Sequence, residues 1–412
     1  MAGSGTSGSD VAHAGTPGNA LSGGTTLLFA VASGTAVANV YFAQPLLATL
    51  GREFGIGTAA VGVVVTLTQV GYGLGLFLLV PLGDLVGRRA LVVTQLALLA
   101  AALVAAGTAA TAPVLLAALA SVGLLAVVTQ TLVAFAASLS APERRGGTVG
   151  LVTSGIVVGI LLARTVSGAL ADLAGWRSVY LLSAASALTL ALALRRVLPH
   201  RPKPPAPMRY ARLLRSTVTL FVEERLLRVR ALLALLVFAA FSTLWSCVAL
   251  PLSEPPLSLS HTAIGAFGLA GAAGALAAAP AGRLHDRGLA GRTTGVALVL
   301  LTASWLPLAF TRHSLWALVL GAVVLDLAVQ AVHVTNQSML YTARPDAGSR
   351  LIGGYMVFYS VGSAVGAVAS TTVYDRSGWG AVCVLGAAFS ALALLVWATT
   401  RRCAATRGVP GR

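Results

Sequence analysis

Four polar side chains occur at helical spacing within one long apolar run. They are Asp326, Gln330, His333 and Gln337. Their positions keep all four within about 60° of one helix face. A carboxyl group in the middle of a membrane costs about 2.5–3.5 kcal/mol on insertion scales, so this face is expected to line water, a substrate or a proton relay. A hydrogen-bonded cluster between helices is the alternative.

Arg164 is the one basic residue that falls inside a different apolar run. Its planar guanidinium suits an anion or a bidentate partner, and pairing with Asp326 would neutralise both charges. Extension of the side chain to the outer headgroups is the alternative. Other polar residues in apolar runs are candidates for lining the same cavity, although each could equally be a packing residue. They are Asn39, Tyr41, Gln44, Gln69, Tyr72, Gln130, Tyr355 and Tyr359.

The composition indicates a polytopic membrane protein. Hydrophobic residues make up 57% of the 412 residues and charged residues 10%, whereas about a quarter of the residues in soluble domains are charged. The net charge of +16 can be assigned to short loops beside apolar runs, so no nucleic acid is expected as a partner. The one lysine, Lys203, lies in a proline-rich segment, which excludes a Walker-type phosphate loop on this chain.

Twelve apolar runs are long enough to cross a hydrocarbon core of about 30 Å as helices. Their length and their Leu, Ala and Val content favour helices over barrel strands. The sequence therefore predicts an all-α polytopic membrane protein. The predicted spans are 26–48, 58–82, 90–110, 113–139, 148–171, 177–198, 231–252, 262–281, 293–311, 315–341, 350–374 and 378–399.

Basic residues are distributed unequally between the two ends of these spans. Of the 28 Lys and Arg residues, 23 lie at one end, and that end is expected to be cytoplasmic. Both termini would then be cytoplasmic, in the plasma (inner) membrane of a bacterium. The four basic residues at the other end are Arg52, Arg177, Arg312 and Arg376.

The chain divides into two groups of six spans. Residues 210–230 form an amphipathic, arginine-rich stretch that is expected to lie on the anionic leaflet, with a merely soluble tether as the alternative. The predicted segments are a disordered tail at 1–25, a six-helix bundle at 26–198, a basic linker at 199–230, a second six-helix bundle at 231–399 and a basic tail at 400–412.

Two landmarks suggest that the second bundle duplicates the first. Pro142 and Pro345 are each followed by an acid, and Gly175 and Gly378 are each followed by tryptophan. Both pairs are separated by the same offset of 203 residues. A constant offset at separate places favours a six-plus-six repeat.

A polar motif follows the second span of each half. In the first half its residues are Asp84, Gly87, Arg88 and Arg89, and in the second they are Gly282, Asp286 and Arg287. With the repeat and the topology, this motif resembles the signature loop of the major facilitator superfamily, whose halves are parallel six-helix repeats. The resemblance implies a twelve-helix transporter in two pseudo-symmetric bundles, with the motif as a cytoplasmic gate.

Within that superfamily, residues 39–47 and 159–168 look like those of bacterial drug, sugar and nucleoside efflux permeases, which are mostly proton-coupled exporters. The antiporter signature of span five is partial, because Ala163, Arg164 and Ser167 replace its Gly, Pro and Gly. The resemblance implies export of a small organic compound by alternating access, in exchange for protons. An importer or uniporter remains open, and a non-transporting sensor or a membrane-embedded enzyme is a further alternative.

No metal site is expected, because the three cysteines have no metal-ligand spacing, and no catalytic site is expected, because no DxxxD or HxxxH arrangement is present. No cofactor is expected either, and a proton gradient is the expected source of energy. The expected partners are a small-molecule substrate and membrane lipid, and the chain is expected to be monomeric.

Overall fold

A computed structural model describes residues 22–140, 144–198, 210–271, 277, 280–285, 287–343 and 348–405. Every regular element in these ranges is helical, as expected where lipid leaves backbone groups no other partners. Nine of the helices described there are long and apolar enough to cross a membrane. The longest of these runs on from Arg350 to Thr400, but non-helical backbone at Gly378 (φ 71°) divides it into two segments.

The helices fall into a first half, a linker helix and a second half. The first half comprises α1 (Gly23–Ala38), α2 (Leu47–Phe54), α3 (Val63–Leu78), α4 (Arg88–Gly107), α5 (Ala112–Ala126), α6 (Val128–Leu139), α7 (Arg145–Ala174) and α8 (Trp176–Val197). The linker helix is α9 (Tyr210–Glu223). The second half comprises α10 (Arg225–Trp245), α11 (Ala249–Ser253), α12 (His261–Ala266), α13 (Ala290–Ala303), α14 (Trp305–Ala309), α15 (Leu315–Ala343) and α16 (Gly348–Ala405).

Several predicted spans are interrupted rather than continuous. The span at 26–48 stops at Ala38, and Pro45 lies in a separate 3-10 turn. The spans at 231–252 and 293–311 are likewise broken, with Pro251 in α11 and Pro307 in α14. Proline lacks the backbone N–H and clashes with the preceding turn, so each of these helices is interrupted close to its proline.

The linker is shorter in the structure than the sequence predicted. Its C-terminal limit at residue 230 differs from the structure, because α10 begins at Arg225 and Arg230 is a buried residue of its second turn. An arginine side chain can lie along a helix and find a polar partner inside the protein, so its charge does not mark a loop. The tail at 1–21, the segment 199–209 and the C-terminal residues from 406 lie outside the described ranges.

Glycines bring the helices close together. A Cβ at Gly159 in α7 would lie 2.2 Å from the carbonyl oxygen of Gly34 in α1, and one at Gly366 in α16 would lie 2.2 Å from the carbonyl oxygen of Ala239 in α10. Such distances fit only glycine, which agrees with the small-residue packing of membrane helices. Gly150 of the partial antiporter signature instead faces open space.

The two halves meet at one end of the bundle, here called the opposite end, which carries Arg52 and Arg177. The other end, called the basic end, carries Arg88 and Arg89. At the opposite end, a Cβ at Gly62 would lie 2.5 Å from the carbonyl oxygen of Ala367 in the other half. The bundle is therefore closed at the opposite end.

Candidate functional site

Arg164 lies in the closed interface between the halves. Its side chain is 3% exposed, and Nε donates a hydrogen bond of 2.6 Å to Oε1 of Gln44. The backbone of the second half approaches closely, since a Cβ at Gly265 would lie 2.3 Å from the carbonyl oxygen of Arg164. The guanidinium thus points into the protein and does not extend to the headgroups.

Aromatic rings surround the guanidinium of Arg164. Its Cζ lies 4.2 Å from the ring centroid of Trp245, 5.2 Å from that of Tyr41 and 5.7 Å from that of Phe241. A cation over aromatic faces is stabilised more strongly when it is removed from water. Nη2 is buried without a hydrogen-bond partner among the described residues. The arginine therefore retains a donor that a ligand could use.

Trp245 connects Arg164 to Asp326. The indole N–H donates to Oδ1 of Asp326 over 3.1 Å, while the same ring lies against the guanidinium. The sequence predicted a direct ion pair between Arg164 and Asp326. The structure differs, because the ion pairs within the described residues do not include this one. The carboxyl group is 7% exposed, and a Cβ at Gly271 would lie 2.4 Å from its Oδ2.

A second chain of polar groups runs from the interface towards the basic end. The hydroxyl groups of Tyr41 and Tyr359 lie 2.6 Å apart and join the two halves. Nδ1 of His333 lies 2.9 Å from the hydroxyl of Tyr355, and its Nε2 lies 3.2 Å from Nε2 of Gln337. Of the predicted polar face of α15, His333 is thus hydrogen-bonded to α16, while Asp326 is hydrogen-bonded to α10.

The structure does not bring every predicted residue into this cluster. Asn39 donates to the carbonyl oxygens of Thr35 and Ala36 and accepts a hydrogen bond of 2.7 Å from Ser183. It therefore joins α1 to α8 within the first half. The remaining predicted lining residues are buried or half-buried, and within the described ranges none of them is hydrogen-bonded to this cluster. They are Gln69, Tyr72, Gln130 and Gln330.

The predicted gate motif makes contacts inside the first half. Arg88 donates to the carbonyl oxygens of Gly83 and Ala134, and Arg89 donates to that of Arg195. Gly87 has φ −59° and open space around its Cβ position, so no left-handed turn occurs there. The side chain of Asp84 and the whole of Asp286 lie outside the described residues.

The described residues of the second copy make contacts inside the second half, where Nε2 of His285 lies 3.3 Å from the hydroxyl of Thr342. Gly282 has open space at its Cβ position. The carbonyl oxygen of Arg283 accepts a hydrogen bond from the backbone N–H of Arg287.

A cluster at the opposite end, which the sequence did not predict, holds the halves together. Oδ2 of Asp172 in α7 accepts hydrogen bonds of 2.7 Å from both the backbone N–H and the hydroxyl of Thr262. Oδ1 lies 2.6 Å from Nδ1 of His261, and Nε2 of this histidine lies 2.7 Å from the hydroxyl of Thr49. We call Asp172, His261, Thr262 and Thr49 the latch.

A neighbouring ion pair fixes α2 against α8. Glu53 accepts hydrogen bonds from the guanidinium of Arg177 and the indole of Trp176. Partial burial raises the pKa of Glu53, but these bonds outweigh it and lower the pKa below its ordinary value. The pair positions the turn that carries Thr49.

Two other functional residues were also missed by sequence reasoning. Trp245 ends an aromatic stripe with Phe238 and Phe241 at helical spacing, and that stripe is a signal that could have found it. Arg230 was counted as a loop cation, yet it is buried beside Asn336.

An apolar cavity lies away from the residues around Arg164 and Asp326. It has a volume of about 510 Å³ and is formed by α1, α7 and α8 on the flank of the first half. Its walls include exposed apolar side chains such as Val158 and Leu162. An apolar groove on a membrane-facing flank fits lipid chains, so we assign the candidate site to the polar cluster instead.

Comparison with known proteins gives concordant results. Residues 28–287 and residues 231–410 each match the Major Facilitator Superfamily. The chain is 44% identical over 381 residues to "Uncharacterized transporter YgaY" of Escherichia coli, covering 92% of this chain and 96% of that protein. It is 24% identical over 258 residues to "Probable sugar efflux transporter" of Pasteurella multocida, covering 62% and 61% of the two chains.

The fold is also found among solved structures. The structure of the nucleoside transporter NupG superimposes with a TM-score of 0.72 at 13% identity, covering 91% of this chain and 99% of that one. This likeness confirms the fold class predicted from the sequence.

Proposed function

The chain belongs to the Major Facilitator Superfamily of membrane transporters, and from this premise we propose that it exports a small organic compound across the bacterial inner membrane in exchange for protons. The proposal rests on one observation. Arg164 from the first half and Asp326 from the second both contact Trp245, in the interface that is closed at the opposite end. Alternating access requires a site that both halves share.

Exchange follows if a proton and the substrate compete for Asp326. A carboxylate accepts hydrogen bonds more strongly than a protonated carboxyl group does, so a hydroxyl or a protonated amine of the substrate binds more tightly when Asp326 is deprotonated. Arg164 acts as the counter-charge that favours the deprotonated form. The rings of Trp245, Phe241 and Tyr41 offer faces for the apolar side of a ring-shaped compound.

The direction of transport follows from the sign of the pH dependence. If the substrate donates to Asp326, its binding weakens as the pH falls, which gives exchange and export. If it is an anion held by Arg164, protonation of Asp326 removes a repelling charge and binding strengthens, which gives co-transport and uptake. The similarity to a protein named as a sugar efflux transporter supports export.

The test uses purified protein in proteoliposomes, with compounds first selected by thermal shift from a panel of sugars, nucleosides and amines. We expect Asp326→Asn to abolish substrate-driven proton movement, while exchange of labelled for unlabelled substrate continues with a weaker affinity, since the amide oxygen still accepts a hydrogen bond. Asp375→Asn, an exposed acid at the opposite end, should leave both unchanged. Persistence of proton movement in Asp326→Asn would remove Asp326 from the mechanism.

A further inference from the structure

A second buried arginine lies near the basic end, away from the cluster around Arg164. Arg230 is 9% exposed, and its Nη1 donates a hydrogen bond of 3.1 Å to Oδ1 of Asn336, which is fully buried. Arg230 precedes Trp245 by 15 residues on α10, which is about 22 Å along a helix. The two arginines therefore belong to separate sites.

The environment of Arg230 is rich in donors and poor in acceptors. Nε of Arg230 and Nδ2 of Asn336 are buried, and neither completes a hydrogen bond within the described residues, although the side chain of Asn336 approaches the hydroxyl of Tyr355. Buried donors are normally paired, so two unpaired ones side by side call for an acceptor.

Tyr355 supplies a third potential donor. Its buried hydroxyl lies 2.9 Å from Nδ1 of His333. The amide nitrogen of Gln337 can donate to Nε2 of the same ring, which places the ring proton on Nδ1 and directs it at the tyrosine oxygen. The hydroxyl hydrogen of Tyr355 is then available to a ligand.

No carboxylate of the described residues neutralises Arg230. The ion pairs found in those ranges, Arg177 with Glu53 and His261 with Asp172, both lie at the opposite end. The repeat offset of 203 residues places Val133 and Val152 in the first half where the second half has Asn336 and Tyr355. The group formed by Arg230, Asn336 and Tyr355 therefore belongs to the second half alone and does not follow from the shared fold.

We propose that Arg230, Asn336 and Tyr355 form a second site, which binds an oxyanion: a carboxylate or phosphate group. A carboxylate or phosphate has two or more oxygens that accept hydrogen bonds. The N–H groups of a guanidinium and of a neighbouring amide can donate to them separately. This site does not depend on the proposed proton exchange, because none of its members contacts Asp326 in the described structure. The oxyanion is supplied either by a dissolved organic acid or by the headgroup of an anionic phospholipid.

The first arm of the test measures binding of benzoate to the full-length protein in detergent without a pH gradient. Arg230→Gln should weaken binding at this site at least tenfold, and Arg230→Lys less. Arg225→Gln is the matched control, because Arg225 is an exposed residue of the same helix, and it should stay within twofold of the wild type. Parallel titration in an Arg164→Gln background removes any contribution from the central arginine.

A second variant guards against loss of folding. Asn336→Asp is nearly isosteric and places a carboxylate 3.1 Å from the guanidinium of Arg230, if the distance seen for Asn336 is kept. It should abolish benzoate binding and raise the melting temperature, because the new carboxylate takes the place of the ligand. Unchanged benzoate binding together with unchanged retention of phosphatidylglycerol in this variant would count against the site.

The second arm uses vesicles of phosphatidylglycerol or phosphatidylcholine and counts retained lipids by native mass spectrometry. Loss of a phosphatidylglycerol molecule in Arg230→Gln, without an effect on benzoate, would assign the oxyanion to a lipid headgroup. Loss of benzoate binding alone would assign it to a dissolved acid. If Arg230→Gln and Asn336→Asp change neither, the site does not exist.

Discussion

The latch at the opposite end gives a quantitative prediction for Asp172→Asn. The carboxylate accepts two hydrogen bonds at Oδ2 from Thr262, and asparagine would place an NH₂ group against those donors or turn it towards His261. Either way two charge-assisted bonds are lost. Such bonds are worth about 1.5–3 kcal/mol each, and we take about 1 kcal/mol because the side chain is 27% exposed.

The resulting loss of about 2 kcal/mol acts on the closed state alone, since the latch joins residues of different halves. A difference of 1.4 kcal/mol is about a factor of 10 in an equilibrium constant, so the ratio of closed to open molecules at this end should fall about 30-fold. The variant should therefore populate molecules whose opposite end is open.

Pulsed electron paramagnetic resonance measures this shift directly. Spin labels are introduced by Arg52→Cys in the first half and His313→Cys in the second, both exposed at the opposite end, after the native cysteines are replaced by alanine. Asp172→Asn should add a longer distance between the labels. Asp375→Asn, an exposed acid at the same end, is the control. An identical distance distribution in Asp172→Asn and the control would refute the reasoning.

Two further predictions concern packing and pH. Gly265→Ala places a Cβ 2.3 Å from the carbonyl oxygen of Arg164, so the closed interface must separate. Transport in vesicles should then fall at least tenfold. Gly150 faces open space, so Gly150→Ala should leave transport unchanged at equal protein levels. Glu53 has a lowered pKa because of its bonds to Arg177 and Trp176, so its contribution is present above about pH 4.5 and is lost as the pH falls through the folded-state pKa. Glu53→Gln should therefore lower the melting temperature at pH 7 by a small amount, since this exposed pair is worth at most about 1 kcal/mol. The effect should shrink as the pH falls below about 4.5.

The sequence predicted the elements of the fold because the thickness of a bilayer sets the length of an apolar helix. It also found Arg164 and Asp326, since charges inside apolar runs are rare and costly. The helices are interrupted near Pro45, Pro251 and Pro307, inside three of the predicted spans. Hydrophobicity alone does not distinguish a continuous apolar helix from one that is broken near a proline.

The contacts of the site were less accessible to sequence reasoning. Trp245 and Asp326 are 81 residues apart, and nothing in the local sequence shows that one indole contacts both charges. Asn39 looked like a lining residue, yet its partner Ser183 is 144 residues away. Arg230 was concealed among loop arginines, because its burial depends on Asn336, which lies on another helix.

The location of Arg164 and Asp326 in different halves has a consequence for leakage of protons through the empty transporter. When the opposite end opens, Arg164 moves with Gln44 while Asp326 remains with Trp245, so an empty, deprotonated carrier would expose a carboxylate that has lost its counter-charge. A proton or a substrate on Asp326 removes that penalty. We therefore expect the transporter with neither proton nor substrate bound to remain closed at the opposite end, so that the proton gradient is not dissipated when substrate is absent.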